Sequence, residues 1–534
     1  MAKLNPVKRL ASPLGLIPLV LLLAPSAAYL WHFGDVPRFG DLHDDSLYFV
    51  SAKSLADGGG YRIESLPGEP AQTKYPPLYP LLLSAAWRLN PQFPANLTAA
   101  AWISWLALPA ILVLLAGIYA RWEFSGYRAW ILMLLFAANP YVILFSTQLF
   151  SEMPFLALAL GVALAIERAA KGSRPAAAWA GAIAGLAYLT RSAGLALLAS
   201  GAIYLWPLRK QRTAAILFSA TMLPFVAGWM FWARLHQVST DDPTLIYYVD
   251  YFRYELYSVS WRDFPLILWK NLDGLLWGLG GWILPKVFDS QFLKILSEVI
   301  AIAMISGVVR MVRRGIATFY AVFALFSAAL LVVWHFPPNE RFVLPLMPLA
   351  LAGLWTEAGH LAAMLRSARR HPDKAQRAVA AGFVAAIVAI GLGCVALQAL
   401  MDLSFLPADA AQHRERKMQN AALYDWIRAN TAADASFLAA DDALLFLNTG
   451  RHAMSKPLPP ALWYRQDHAG IVEWLSDLAP FAREHALSNF VFAGVDIRQG
   501  ISDDDRQAVE QAIRGAADLS LVCQTGSATI YKIP

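Results

Sequence analysis

The sequence predicts a polytopic α-helical membrane protein with a small C-terminal α/β domain, and three observations carry that prediction. Of 534 residues, 57% are hydrophobic and 15% are charged, against roughly 45–50% and 25% in soluble globular domains. The apolar residues gather into runs near the ~20 residues that a membrane-crossing helix needs. Basic residues cluster at every second connection between those runs, the mark of cytoplasmic loops. An ordinary soluble enzyme, a disordered chain and a fibrous chain are thereby excluded. The net charge of +6 lies in short clusters between apolar runs, so it marks loops at a membrane rather than a nucleic-acid surface. Two cysteines, Cys394 and Cys523, make no disulfide framework, and Cys394 lies inside an apolar run.

About eleven candidate spans follow in order, at 13–31, 97–119, 129–146, 153–166, 176–189, 193–206, 214–232, 292–309, 317–334, 342–361 and 379–400. Lys3, Lys8 and Arg9 precede the first. Later clusters are Arg121 with Arg128, then Arg168, Lys171 and Arg174, then Arg209, Lys210 and Arg212. Arg310, Arg313 and Arg314 come next, and Arg366, Arg369, Arg370, Lys374 and Arg377 complete the series. The alternation predicts a cytoplasmic N-terminus and an extracytoplasmic tail after Leu400. Small residues at 24–28 offer a signal-peptide cleavage site, but the apolar run continues through Tyr29, Leu30 and Trp31, as an anchor does.

The chain divides at about 403/404, where charge rises and the apolar runs shrink. Residues 1–403 form the membrane domain, with a first outer loop at 32–96 and a second at 235–291. Residues 404–534 form the α/β domain. Helical spacing marks 420–429, and 436–440 and 489–493 read as strands. Asp441 and Asp503 or Asp504 are candidate helix caps, and 519–523 with 528–533 read as a hairpin around Thr525-Gly526. Gly181-Ala-Ile-Ala-Gly185 has the small-xxx-small spacing of close helix packing.

The candidate chemistry falls on the outer connections, where length is spent. Asp44 and Asp45 open an amphipathic stretch at 46–56 suited to an interface-lying helix, ended by Gly58-Gly-Gly60. They either cap that helix or serve a site. In Lys74-Tyr-Pro-Pro-Leu-Tyr-Pro80 the prolines set an extended entry to the next helix. Tyr75 and Tyr79 suit the membrane's aromatic belt, and Lys74 either meets a phosphate or snorkels. Glu152 stands at a membrane boundary with no cation within five residues. Arg191 and Arg341 lie on the side that the loop-charge bias leaves poor in basic residues. They serve either bidentate phosphate binding or an internal ion pair with Glu152 or Glu340. A divalent metal at His43, Asp44, Asp45 and His335 matches no standard ligand spacing, so no cofactor and no metal is expected. Nucleotide loops and nucleophile elbows are missing from the sequence.

The order and shared sidedness of these motifs resemble the polyprenyl-phosphate-sugar-dependent GT-C glycosyltransferases, nearest the bacterial branch related to aminoarabinose transferases and protein O-mannosyltransferases. The resemblance covers roughly residues 1–361. It implies a GT-C membrane fold and transfer of a sugar, hexosyl or pentosyl, from a polyprenyl-phosphate donor to an acceptor hydroxyl. The acceptor would be an envelope glycan, a lipid or a protein, and the place the periplasmic face of a bacterial inner membrane. It implies that Asp44 is the catalytic base, with Asp45 its acidic neighbour where Glu is commoner, and that Glu152 holds a position where relatives often carry Asp. Arg341 takes the place of the arginine that meets the donor phosphate, with Arg191 and Lys74 as its helpers. Lys74 falls one residue before the usual Lys-Pro-Pro lysine. Tyr48, Tyr75 and Tyr79 are candidate aromatic contacts to substrate. The alternative function is a transporter or flippase for a polyprenyl lipid or glycolipid, which predicts charged or broken helices at mid-membrane and internal repeats. Membrane lipids are the expected surroundings in either case.

Overall fold

A computed structural model of the chain describes residues 13–34, 38–40, 42–256, 258–334, 336–369, 374–493, 501–516, 518–525 and 528–533. Lys3, Lys8, Arg9, His335, Arg370 and Gly526, all singled out above, lie outside the described residues, as does Asp41 of the first outer loop.

Helices occupy every predicted apolar run. By length and composition five can each cross a membrane: Leu97–Arg121, Arg212–His236, Gln291–Arg313, Glu340–Ala368 and Lys374–Asn430. Tyr127–Ala137 and Pro140–Thr147 make a sixth if the pair, bent by 60°, is one span. The other runs, such as Thr318–Val332, are shorter helices, so length and composition vouch for five or six spans among the described residues rather than eleven. The 60° bend has a local cause. Pro140 has no N–H to donate and crowds the preceding turn, and Asn139 caps the second helix by accepting from Tyr141 N at 3.0 Å. Its amide also donates to the Trp282 carbonyl at 2.6 Å, which fixes the break inside the bundle.

The glycine pair at 181 and 185 works as its spacing predicts. A Cβ at Gly181 would stand 2.2 Å from the Phe218 carbonyl oxygen, and one at Gly185 would stand 2.3 Å from the Phe225 ring. The close approach of Arg174–Thr190 to Arg212–His236, backbone at Gly181 and the Phe225 ring at Gly185, is possible only because both glycines lack a side chain.

The first outer loop differs from its amphipathic reading. Asp44–Asp57 is a helix, ended by Gly58 at φ +81°, but it does not lie on an interface. Both faces are covered, and Leu47, Tyr48, Phe49 and Val50 are all buried. Leu78–Leu89 packs beside it, with Trp87 Nε1 donating to the Phe49 carbonyl at 3.0 Å. The apolar side chains of this loop share one buried cluster with Leu438, Met454, Phe481 and Phe490 of the C-terminal region. The alternation that suggested a wet face is a short helix held between two neighbours.

The C-terminal region carries a five-stranded sheet of order β2-β1-β3-β5-β4. Its strands are β1 (Ser436–Leu438), β2 (His452–Met454), β3 (Asn489–Ala493), β4 (Ser520–Thr525) and β5 (Ala528–Lys532). β1 runs parallel to β2 and β3, and β5 is antiparallel to β3 and β4. The helix that begins at Lys374 continues to Asn430, so it passes through residue 404 without a break. Its last turns, at Leu423, Tyr424 and Ile427, pack on the sheet through Phe437, Val491 and Ile530. Ser502, not Asp503 or Asp504, caps Asp503–Gly515, its hydroxyl accepting from Asp505 N at 3.1 Å. Asp441 stands at the cap position of Asp442–Thr449 without a side-chain cap bond.

Replacing Gly181 with leucine should cost about 1–3 kcal/mol through overpacking, measured as thermal unfolding in detergent. Gly382→Leu is the control, because nothing lies within 4 Å of a Cβ there. Equal effects from the two would show that the helix contact at Gly181 is not tight.

Candidate active site

Four segments far apart in sequence deliver charge to one place. Asp44 begins the Asp44–Asp57 helix and Glu152 begins Glu152–Ala169, so both carboxylates sit where a helix dipole favours negative charge. Arg191 occupies the extended residue after Arg174–Thr190. Arg341 lies in the first turn of Glu340–Val343, whose cap Asn339 accepts from Arg341 N at 3.0 Å.

Glu152 is the centre of the cluster and is 1% exposed. Its Oε1 accepts from Arg191 Nη1 at 2.7 Å and from Arg341 Nε. Arg341 Nη2 reaches Asp44 Oδ2 at 2.9 Å, and Tyr75 donates its hydroxyl to Asp44 Oδ1 at 2.5 Å. The Arg341 guanidinium lies 4.0 Å above the Phe150 ring. Arg191 also donates to the Ser151 hydroxyl at 2.9 Å, which stands 3.2 Å from the Tyr48 hydroxyl. Of the two expectations for the arginines, the internal ion pair is the one the geometry displays. The internal pair exists with Glu152, while Glu340 pairs instead with Lys286 at 2.9 Å.

Burial alone would raise the Asp44 carboxyl, but the Arg341 and Lys74 charges and the Tyr75 hydroxyl together hold it below the usual carboxylate range. Lys74 is buried, with its ammonium 3.8 Å above the Tyr247 ring. Burial brings it down to about 8, against the pull of Asp44 and Asp442.

Asp44, Lys74 and Arg341 face a cavity of about 870 Å³ between the bundle and the C-terminal sheet. Lys270, Trp277, Lys456 and Trp463 are among its other walls. Glu152, Arg191, Tyr48 and Tyr75 stand behind the three and hold them. Asp45 is committed elsewhere. Its two oxygens accept from Gly40 N at 2.9 Å and Ser46 N at 2.8 Å, which closes the turn before the helix. Tyr79 is buried, its hydroxyl 2.7 Å from Ser104 and its ring against the edge of Tyr48, so it is part of the scaffold.

His43 is engaged at both ring nitrogens, by Tyr247 at 2.8 Å and Asp442 at 2.5 Å. It offers no nitrogen to a metal, and among the described residues no three His, Cys, Asp or Glu side chains gather as a ligand set. Asp442, Tyr247, Tyr248 and the lysines Lys270 and Lys456 were not singled out from the sequence. Asp442 looks like an ordinary helix-start acid there, and the lysines look like loop charges.

The lowered Asp44 carboxyl implies a stability contribution that is complete above the unfolded value of ~3.9 and lost as pH falls through the folded one. The difference in unfolding temperature between wild type and Asp44→Asn should therefore be flat from pH 7 to about 5 and shrink below pH 4. A difference that grows on acidification would contradict the pairing with Arg341. Glu152→Gln removes the counter-charge of two guanidinium groups and should cost ~3–5 kcal/mol, checked by the same unfolding measurement.

No protein-family model matches the sequence, and no curated protein does either. Solved structures do. Apo ArnT from Cupriavidus metallidurans superposes with a TM-score of 0.50 at 13% identity, over 96% of this chain and 97% of that one. The archaeal oligosaccharyltransferase AglB from Archaeoglobus fulgidus, in complex with an inhibitory peptide and a dolichol-phosphate, gives 0.50 at 12% identity, over 98% of this chain and 75% of that one. At such identities the likeness is one of architecture. It extends through the membrane helices and the C-terminal domain alike, and the architecture that this chain shares with ArnT and AglB is the GT-C fold.

Proposed function

We propose that the chain is a membrane glycosyltransferase that moves a sugar from a polyprenyl-phosphate donor to an acceptor hydroxyl, with inversion, on the periplasmic side of a bacterial inner membrane. One observation carries the reading. A carboxylate, a guanidinium and an ammonium, those of Asp44, Arg341 and Lys74, meet on one wall of a cavity between the bundle and an outer domain. That is the equipment needed to deprotonate a hydroxyl and to neutralise a departing phosphate. The dolichol-phosphate of the AglB structure supports a lipid phosphate as the leaving group.

The sugar in such a donor is already activated, because phosphate departs readily once its charge is balanced. The acceptor oxygen attacks the anomeric carbon, and the bond from that carbon to the phosphate oxygen breaks with its electron pair going to the phosphate. Asp44 takes the hydroxyl proton as the attack proceeds. Arg341 and Lys74 stabilise the negative charge on the leaving phosphate by fixed electrostatics. A Lys74 ammonium near 8 is held charged by an arriving phosphate, so donor binding strengthens the group that later stabilises release. Glu152 and Arg191 orient Arg341 without touching substrate. Apolar grooves between the membrane helices take the prenyl chain.

The far wall of the cavity suits the acceptor. Lys270 rests over Trp463 at 5.2 Å and donates to the Tyr464 carbonyl at 2.9 Å. Lys286 rests over Trp277 at 3.8 Å, and both line the cavity. Indole faces with ammonium groups beside them match the alternating apolar and hydroxylated faces of a glycan. An envelope glycan, a glycolipid or a glycosylated protein all present such a surface.

Thermal unfolding of the detergent-purified protein with undecaprenyl phosphate tests the donor site, with undecaprenol as control. At 100 times the dissociation constant the phosphorylated lipid should add ~2.7 kcal/mol. Lys74→Gln, which leaves the Arg341–Glu152–Asp44 network whole, should lose most of that gain. Equal effects from the two lipids would remove the phosphate assignment. With a sugar-loaded donor, Asp44→Asn should lower turnover by ~10²–10⁴-fold, and a variant keeping more than about a tenth of the wild-type rate would take the base from Asp44.

A further inference from the structure

His43 precedes the proposed base and is the most constrained residue near it. It adopts φ 61° and ψ −38°, a region where a non-glycine residue persists only if its surroundings impose it. The surroundings come from three segments. Within its own loop, the His43 carbonyl accepts from the Ser46 hydroxyl at 2.9 Å and from Leu47 N at 3.1 Å. From the second outer loop, Tyr247 bonds Nδ1 at 2.8 Å and stacks on the imidazole with centroids 5.6 Å apart. From the C-terminal region, Asp442 meets Nε2 at 2.5 Å.

Asp442 is itself fully buried and fixed. Tyr248 donates to its second oxygen at 2.5 Å, and the Tyr248 hydroxyl also meets the Ser455 hydroxyl at 2.7 Å and Ser455 N at 2.9 Å. Neither carboxylate oxygen of Asp442 has slack, so the imidazole it holds has none. Burial pulls the His43 imidazole down most strongly, but the Asp442 charge, its hydrogen bond and the Asp44 charge together raise it above its ordinary value, which favours an imidazolium–carboxylate pair. Asp44 and Lys74 are the other charges acting on the ring.

We propose that His43 is a positioning residue, and that the C-terminal domain belongs to the active site through the Asp442–His43 pair. The pair, with Tyr247 on the other ring nitrogen, imposes the strained backbone that starts the Asp44 helix and so places the Asp44 carboxylate between Arg341 and Tyr75. The α/β domain is then more than a neighbour of the cavity. Without it the segment before Asp44 relaxes and the base leaves its place. The inference rests on Asp44 being the base, and the exchange arm of its test does not.

Hydrogen–deuterium exchange of the full-length protein in detergent reads the backbone directly. Asp442→Asn should raise exchange of the amides at 42–48 by at least tenfold, while the bundle helices exchange as in wild type. Tyr247→Phe removes one hydroxyl from the other side of the ring and should raise exchange in the same segment, in case the Asp442 variant fails to fold. In the transfer assay both variants should lower kcat, referred to the folded fraction that unchanged exchange of the bundle helices reports, at least tenfold and keep KM for the donor within twofold. Unchanged exchange at 42–48 in both variants overturns the inference whatever the enzyme transfers. Raised exchange with unchanged kcat also overturns it, because the base would then not depend on the strained turn. A wild-type protein that turns over no lipid-phosphate sugar would instead defeat the function proposed above, and the exchange measurement would still decide the positioning.

Discussion

One buried carboxylate between two guanidinium groups sets the geometry of the charged wall of the cavity. Taking an ion out of water costs several kcal/mol even after relaxation, and the cost is recovered only when partners approach closely and at good angles. Glu152 recovers it by drawing Arg191 and Arg341 to one oxygen. That demand fixes the start of Glu152–Ala169, the end of Arg174–Thr190 and the first turn of Glu340–Val343 relative to one another. Once Arg341 is fixed, its remaining reach defines where Asp44 must be. The charge cluster is an expensive way to hold helices together, and an apolar core would do that better. Its presence on the wall behind a large cavity is what points to chemistry.

The second constraint is closure of the cavity from above. The apolar side chains of the first outer loop and those of the sheet region form one continuous core, so the loop and the domain that covers it share their burial. The same contact explains why the Asp44–Asp57 helix is buried on nearly all sides. A helix at a lipid surface needs one wet face, and this one has protein on both.

Much of the site was legible because charges at the ends of apolar runs are rare and therefore conspicuous. Asp44, Glu152, Arg191 and Arg341 stood out for that reason, and Lys74 through its proline-rich setting. What escaped notice has a shared cause. His43 and Asp442 are 399 positions apart, and no local pattern reports a partner at that distance. Lys270 and Lys456 likewise become cavity walls only after folding. The membrane runs were found by composition, but composition says little of whether a run is a full crossing or a short helix packed among others, as at Thr318–Val332. β2, with three residues, is too brief to show a period of two. The helix break at Asn139-Pro140 is written in the sequence, but the apolar run continues across it and composition alone does not report it.

The helix from Lys374 to Asn430 joins these parts mechanically. Its 57 residues make a rod ~85 Å long at 1.5 Å per residue, its first half on the outside of the bundle with Ala380 and Cys394 buried and its last turns against the sheet that roofs the cavity. A rod of that length acts as a lever. A tilt of ~5° within the bilayer displaces a point ~40 Å further along it by ~3–4 Å, on the same rise per residue, which is comparable to the width of a sugar ring. Bilayer thickness, to which a helix can accommodate by tilting, thereby becomes a variable coupled to the height of the roof above Asp44.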